Sequence, residues 1–192
     1  ELHRLILTSR TWRQSSDASA ARARIAIKVD AGNRLLWRMN RERLDAGMFR
    51  DSVLRLAGRL DLKMGGPGGE HFTTSKGAQA TPKLDYAAFD WNTPEGARRS
   101  IYRVVWRGIP DPFMEAMDFP DLGLLAPKRG MSVSALQSLA VFNNDFVLHA
   151  GEWLAERVSR EREGLESRVE RAVGLAWLRR PAAQEMSAFV NY

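Results

Sequence analysis

The segment from residue 33 to residue 67 constrains the fold most. It reads NRLLWRMNRERLDAGMFRDSVLRLAGRLDLKMGGP, with apolar residues spaced among arginines and a cluster of glycines at its end. Four apolar side chains share one arc when successive residues are placed about 100° apart: Phe49, Val53, Leu56 and Leu60. This spacing predicts one long helix from about Arg41 to Leu60, which the glycine cluster at 65–69 ends.

The C-terminal third is also predicted to be helical. Ser134 and Gln137 fit a capping box, and Asn144 fits the N-cap of the helix that follows. A further helix is predicted at 165–178, and Pro181 fits the first position of a last one. Shorter helices are predicted at 2–13 and 20–28 from their apolar spacing.

The stretch between these helical regions is predicted to be mostly non-helical. Residues 65–97 are rich in glycine and predicted to form a loop. Residues 101–107 alternate loosely between apolar and polar side chains, which predicts a short strand. The predicted fold is therefore mainly α: a helical array with a long central loop region and one short extended segment or small hairpin. We expect a single domain over 1–192, with a loop-rich insertion at about 62–132, cut from a larger protein because the chain opens inside a helical pattern.

Composition and charge exclude several classes of function. The 192 residues include no cysteine, which excludes disulfides, thiolate metal sites and a covalent CxxCH haem site within this segment. No apolar run approaches the roughly 20 residues that span a bilayer. The formal net charge is +6, but arginines alternate with acids, as in RERE at 160–163. Such alternation is typical of a solvated, ion-paired helix face and argues against nucleic acid as a partner.

Candidate ligand-binding residues lie in and around the central loops. His71 is the histidine that falls outside a helical pattern, and Trp91 stands among polar residues. The other candidates are Arg98, Arg99, Asp118, Asp121 and Arg129. The arginines could gather to hold an anionic group by forked hydrogen bonds, or Arg98 and Arg99 could pair with the aspartates and pin the loop to the helical core.

No motif in the sequence specifies a catalytic or metal site. The histidines lack a metal-binding spacing such as HxxxH, and no G-x-S-x-G elbow is present. The GGPGG cluster at 65–69 is not a phosphate loop, because Lys-Ser/Thr does not follow it at the start of a helix. We therefore predict no catalytic residues and no metal ligands.

Several blocks of the chain together resemble one family. They are LHRLILTSRTWRQS at 2–15, the segment 33–67, RRSIYRVVWR at 98–107, DFPD at 118–121 and ALQSLAVFNNDFV at 135–147. In this order they are similar to the C-terminal domain of unknown function number fifteen fifty-three, found in large exported planctomycete and verrucomicrobial proteins. Ala135 stands where that family tends to have proline, and residues 16–32 do not follow its pattern.

The resemblance implies a helical module of a large protein exported to the periplasm or the cell surface. Proteins of that family often carry a cytochrome-c-type module, so haem is expected in a separate domain and no cofactor in this segment. The resemblance brings no catalytic residues. The leading interpretation is a non-catalytic assembly or ligand-contact module, with other domains of the same parent chain as partners and carbohydrate as a further candidate. The alternatives are a polysaccharide-acting enzyme domain with its site in the 65–130 loops and a basic nucleic-acid-binding module.

Overall fold

The computed structural model describes residues 1–19, 21–77, 81–106, 108–120 and 132–192. Within these residues the fold is mainly α, as predicted. The helices are α1 (Leu2–Thr8), α2 (Ala21–Val29), α3 (Ala46–Leu56), α4 (Pro94–Ala97), α5 (Pro112–Ala116), α6 (Ala135–Asn143), α7 (Asp145–Glu161), α8 (Leu165–Trp177) and α9 (Ala183–Val190). Strands β1 (Thr73–Ser75) and β2 (Lys83–Asp85) form a small antiparallel hairpin, in which Thr74 lies opposite Leu84.

The chain divides into two compact units, Glu1–Arg43 and Leu44–Tyr192. The first unit holds α1 and α2, and the second holds the remaining elements. This division does not test whether residues 1–192 form a single domain, which therefore stays a prediction. Among the described residues, no helix combines the length and apolarity needed to cross a bilayer.

The predicted long helix from about Arg41 to Leu60 is wrong at both ends, because α3 runs from Ala46 to Leu56 and the chain leaves the helix at Gly58, which has a φ of 74°. Helix α3 begins at Ala46 because Asp45 caps it, with the carboxylate accepting the amide of Met48 at 2.8 Å. Upstream, Asn33 has a φ of 54° and its side-chain amide donates to the carbonyl of Arg38 at 2.8 Å. Side-chain bonds of this kind offer the backbone an alternative to the helix, so residues 33–45 remain irregular.

The predicted strand at 101–107 is also wrong. Ser100–Tyr102 form a 3-10 turn, and Arg103 makes an isolated parallel bridge with Gly69. Residue 107 lies outside the described residues. The hairpin lies instead between residues 73 and 85, inside the stretch predicted as loop. The segment after the 3-10 turn is therefore held against the glycine-rich loop by backbone bonds without joining a sheet.

Helices α6 and α7 begin where their capping residues predict. Ser134 and Gln137 form a complete capping box, with the Ser134 hydroxyl accepting the Gln137 amide at 3.3 Å. Asn144 separates α6 from α7, and its side-chain oxygen accepts the amide of Phe146 at 3.1 Å. Helix α9 begins at Ala183 with Ala182 as its N-cap, so the prediction that Pro181 is its first residue is wrong by two positions. Each of these starts depends on residues within four positions of one another, which the sequence displays directly.

The core of the second unit is built mainly by α3, α5 and α7. Its buried members are Ala46, Leu54, Ala57, Phe113, Met114, Met117, Phe146, Ala150 and Trp153. Leu54 is fully buried, whereas three members of the predicted arc (Phe49, Val53 and Leu60) pack against the outside of this cluster. The face of α3 that points to the core is therefore rotated from the predicted one, and this rotation also buries Arg50.

Candidate functional site

A cavity of about 180 Å³, hereafter the Arg50 cavity, is lined by residues of α3, α5, the start of α7 and the glycine-rich loop. Its buried wall consists of Arg50, His71, Phe113, Met114 and Phe146. Its exposed rim consists of Ala87, Pro112, Asn143 and Asp145. A concave site with apolar walls and a few convergent polar groups is the usual form of a small-ligand site.

Arg50 is the largest fully buried side chain among the described residues, with 2% of its surface exposed. Its Nη2 donates to the carbonyl of Gly96 at 2.6 Å and its Nη1 to the carbonyl of Arg98 at 2.8 Å. Its Nε is buried and has no hydrogen-bond partner among the residues that the structure describes. The Asp51 carboxylate lies 3.8 Å from Nη1. Burial, followed by the charge of Arg103, lowers the pKa of Arg50 to about 9, so the group is cationic at neutral pH.

His71 is fixed by hydrogen bonds at both ring nitrogens. The Nε of Arg103 donates to Nδ1 at 2.9 Å, so Nδ1 is the unprotonated nitrogen. The proton then lies on Nε2, which donates to the carbonyl of Glu95 at 2.9 Å. Burial, with the charges of Arg50 and Arg103, lowers the pKa of His71 to about 3. His71 is therefore neutral at pH 7 and locked in one tautomer.

The other ionisable groups of the wall are also engaged within the chain. Asp111 pairs with Nη2 of Arg103 through one oxygen, and its other oxygen accepts the amide of Phe113 at 2.8 Å. The hydroxyl of Tyr86 donates to the carbonyl of Ile109 at 2.5 Å, and burial raises the pKa of Tyr86. Among the described residues, no group of three or more His, Asp or Glu side chains is placed to hold a metal ion.

Aromatic rings surround the cavity on the side of the glycine-rich loop. Trp91 packs against Phe146, Phe89 and His71, with ring centroids 5.0, 4.8 and 5.7 Å away. The contacts are tilted or edge-to-face, the arrangements that aromatic pairs prefer. Trp91 is half-buried, and it both joins the aromatic cluster and lines the cavity.

Comparison with protein families assigns the chain to one of them. The model of a family described as "Protein of unknown function (DUF1553)" matches residues 1–192. The chain belongs to the DUF1553 family. The resemblance carried by the sequence blocks is thereby confirmed. No curated protein matches the chain, and no solved structure does so either.

Of the residues predicted to bind a ligand in this DUF1553 chain, His71 and Trp91 line the Arg50 cavity. Asp121 and Arg129 lie outside the described residues. Arg98 donates to the carbonyls of Gly65 and Pro67, the former at 2.5 Å, and so holds the glycine cluster.

Arg99 and Asp118 also lie away from the lining of the cavity. The Nε of Arg99 lies 3.8 Å from the carboxylate of Asp51 on α3. Asp118 accepts the amide of Ser132 at 2.6 Å and the side-chain amide of Gln137 at 2.9 Å. Arg98 and Arg99 thus hold loop segments in place, which is one of the two predicted interpretations. They do so through the carbonyls of Gly65 and Pro67 and the carboxylate of Asp51. Ligand binding by Arg98, Arg99 and Asp118 stays a prediction.

Sequence reasoning missed Arg50, Asp111 and Tyr86. A signal for Arg50 was present, because Ala46, Arg50 and Leu54 follow one another at intervals of four and so share a helix face. Asp111 immediately precedes a proline, and Asp followed by Pro is a typical start of a helix. Neither signal reveals that these residues line a cavity, because that depends on the packing of distant segments.

Proposed function

We propose that the chain is a non-catalytic ligand-contact module and that the Arg50 cavity is its contact site. One observation carries this proposal: the acid–base groups on the buried side of the cavity already serve the chain itself. Both ring nitrogens of His71 and both carboxylate oxygens of Asp111 have partners within the chain. What remains available to a ligand is shape, aromatic surface, hydrogen bonding and the charge of Arg50, which are means of binding.

The pKa values of these groups also favour binding over acid–base chemistry. A general acid or base works best when its pKa lies near the operating pH. The pKa of His71 is lowered to about 3, and burial raises that of Tyr86, so both values move away from neutrality. Proton transfer by His71 would also require its bond to Arg103 or to Glu95 to break first. The polysaccharide-acting and nucleic-acid-binding alternatives remain predictions.

Membership of the DUF1553 family supports the wider part of the proposal. We place the module in a large exported protein, where the other domains of the same chain are its partners. Any haem would lie in a separate domain of that protein. Carbohydrate is one candidate ligand, because half-buried aromatic rings such as Trp91 offer a surface on which a sugar ring can stack.

The test is a search for turnover that depends on the engaged groups. The wild-type chain and the His71→Gln and Asp111→Asn variants would be incubated with nitrophenyl glycosides, esters and phosphates, and nitrophenol release would be followed by absorbance. We expect the same release from all three proteins. His149→Gln serves as the control, because His149 lies on α7 and does not line the cavity.

A catalytic role would give a different pattern. General acid–base catalysis contributes about a hundredfold or more to a rate. The proposal would be wrong if the wild type hydrolysed one probe and if His71→Gln or Asp111→Asn lowered that rate about a hundredfold. Circular dichroism would have to show that the variant was still folded, and His149→Gln would have to retain the rate.

A further inference from the structure

We infer that the Arg50 cavity binds the carboxylate end of a small hydroxylated ligand, with Arg50 as the group that recognises its charge. This inference rests on the proposed function and names the class of ligand. It depends on an incompletely balanced buried cation, on the helix that begins at the cavity, and on the size and polarity of the space.

Arg50 carries a buried positive charge whose neighbours balance it only in part. Its terminal nitrogens donate to backbone carbonyls, which are neutral, and its guanidinium lies over the ring of Phe146, 5.3 Å from the centroid. The negative charge of Asp111 also favours the cation, but this carboxylate is paired with another arginine. Asp51 lies 3.8 Å away, and its Oδ1 accepts two bonds from Ser100, from the amide and from the hydroxyl, each at 2.7 Å. Buried charges are normally paired at contact distance because removing them from water is costly. A ligand carboxylate in the cavity would supply the missing counter-charge.

Arg50 also has one unused donor. Its Nε is buried and has no hydrogen-bond partner within the described part of the chain, although Arg50 lines the cavity and is 2% exposed. Buried donors in native proteins nearly always have a partner, from the protein, from water or from a ligand. A carboxylate oxygen is the strongest acceptor for a guanidinium N–H. The unpaired donor and the unbalanced charge therefore point to the same chemical group.

The N-terminus of α7 adds a positive electrostatic potential at the cavity. Asn144 and Phe146, at the N-terminus of this 17-residue helix, line the cavity. A helix N-terminus carries a partial positive charge and favours anions. The negative charges of two carboxylates, Asp111 and Asp145, reduce this positive potential. Asp111 is paired with Arg103. Asp145 is exposed at the rim, where water screens its charge more than the buried charge of Arg50.

The rest of the cavity fits hydroxyl groups and a small carbon skeleton. Asn143 and Asp145 offer polar groups at the rim, and the Tyr86 hydroxyl, which donates to Ile109, keeps its oxygen as an acceptor. Trp91 and Phe146 offer apolar surface to C–H groups. A volume of about 180 Å³ equals roughly six water molecules at the density of the liquid. The ligand, or the end of it that enters, is therefore about the size of glycerate.

Titration calorimetry of the full chain tests the inference with four probes: glycerate, glycerol, propionate and sulfate. Glycerol resembles glycerate without the charge, propionate resembles it without the hydroxyls, and sulfate is an inorganic oxyanion. We expect glycerate to bind at least about tenfold more tightly than each of the others, the factor that one well-made hydrogen bond or ionic contact supplies. Equal binding of glycerol would overturn the role of charge, and equal binding of sulfate or propionate would overturn the stated ligand class.

Two variants test whether glycerate binds in the Arg50 cavity. Ala87→Phe places a large side chain at the exposed rim, and we expect it to weaken glycerate binding about tenfold or more. Ala188→Phe is the matched control, an exposed alanine on α9 that does not line the cavity, and should bind as the wild type does. Undiminished glycerate binding by Ala87→Phe would overturn the inference.

Arg50→Lys keeps the charge and removes the Nε donor, and we expect it to bind glycerate about tenfold more weakly than the wild type. If this variant fails to fold, Ala87→Phe still decides the question. The inference and the proposed function fail in different ways. Glycerol binding as tightly as glycerate ends the inference and leaves a ligand-contact module. Chemical conversion of glycerate, followed by nuclear magnetic resonance, would end the proposed function while the recognition of its charge by Arg50 could stand.

Discussion

The Nε of Arg103 donates a hydrogen bond to Nδ1 of His71 over 2.9 Å, and this bond decides where the imidazole carries its proton. Protonation of His71 would place a second N–H on Nδ1, facing the donor of Arg103. It would also add a positive charge to a site that already holds Arg50 and Arg103, which lower the pKa of His71 together with burial. The neutral state of His71 is therefore part of the folded structure.

The first prediction concerns pH. The pKa of His71 is about 3 in the folded chain against an ordinary value of 6.5, so below pH 6.5 the unfolded chain binds a proton that the folded chain does not. The free energy of unfolding should thus fall as the pH falls from 6.5 towards 3. The loss approaches about 1.4 kcal/mol for each pH unit only once the unfolded chain is fully protonated at this group, so it amounts to about 2 kcal/mol between pH 6.5 and 4.5. Urea unfolding at a series of pH values measures this slope.

The window ends at pH 4.5 because carboxylates contribute below it. Hydrogen bonds from Arg157 to Glu161 and from Arg179 to Glu185 lower the pKa of each glutamate from 4.5 to about 2. These groups add their own loss of stability at lower pH. His71→Gln should flatten the slope between pH 6.5 and 4.5, whereas His149→Gln should retain it. Equal slopes for the wild type and His71→Gln would contradict the neutral state assigned to His71.

The second prediction concerns Arg50. Arg50→Met removes the donors that satisfy the carbonyls of Gly96 and Arg98. Unsatisfied buried carbonyls cost about 1–3 kcal/mol each, and relief from burying a charge offsets part of this loss. We expect a net loss of about 2 kcal/mol in the free energy of unfolding. Urea denaturation followed by tryptophan fluorescence measures the change.

Arg55→Met is the matched control, because Arg55 lies on the same helix but is exposed. Its effect should stay within about 0.5 kcal/mol, as for surface substitutions in general. A gain in stability for Arg50→Met would show that the cost of burying the guanidinium outweighs its hydrogen bonds, which would contradict a stabilising role for Arg50.

The separation along the chain between interacting residues explains which features could be predicted from the sequence. The capping box of Ser134 and Gln137 spans three residues, so its pattern is visible in the sequence itself. The bond from Arg50 to Gly96 spans 46 residues and that from Arg103 to His71 spans 32. No local periodicity encodes such pairings, and therefore the mainly α class was predicted while the cavity was not.

The errors in the sequence prediction have local physical causes. Apolar spacing predicted a helix through residues 41–45, but it could not weigh helix propensity against the capping bond of Asp45. Similarly, alternation predicted a strand at 101–107, although the amide of Arg103 bonds to the carbonyl of Ser100 at 3.2 Å and the amide of Val104 to the carbonyl of Gly69 at 2.9 Å. A two-residue period describes side chains and does not specify the backbone partner.

The third prediction tests where α3 begins. Because the Asp45 carboxylate caps the helix, Asp45→Ala should lower the free energy of unfolding by about 1 kcal/mol, and Asp45→Ser should restore most of it. A helix that began near Arg41 would place Asp45 in its interior, where alanine is the better helix former. In that case Asp45→Ala would stabilise the chain. Thermal unfolding by circular dichroism distinguishes the two directions.

The fourth prediction concerns Gly96, whose carbonyl accepts the shortest hydrogen bond of Arg50. A Cβ atom at this position would lie 2.8 Å from the carbonyl oxygen of Trp91, which is backbone and cannot move aside easily. Gly96→Ala should therefore cost about 1–3 kcal/mol, as overpacking does elsewhere, and should also displace the acceptor of Arg50. Gly151→Ala is the control, because Gly151 lies inside α7 and a Cβ there would meet no atom of the described residues within 4 Å. That variant should gain about 0.5–1 kcal/mol from helix propensity. Urea unfolding of both variants measures the contrast, and a Gly96→Ala chain as stable as the wild type would mean that the turn from Trp91 to Gly96 does not hold Arg50 in place.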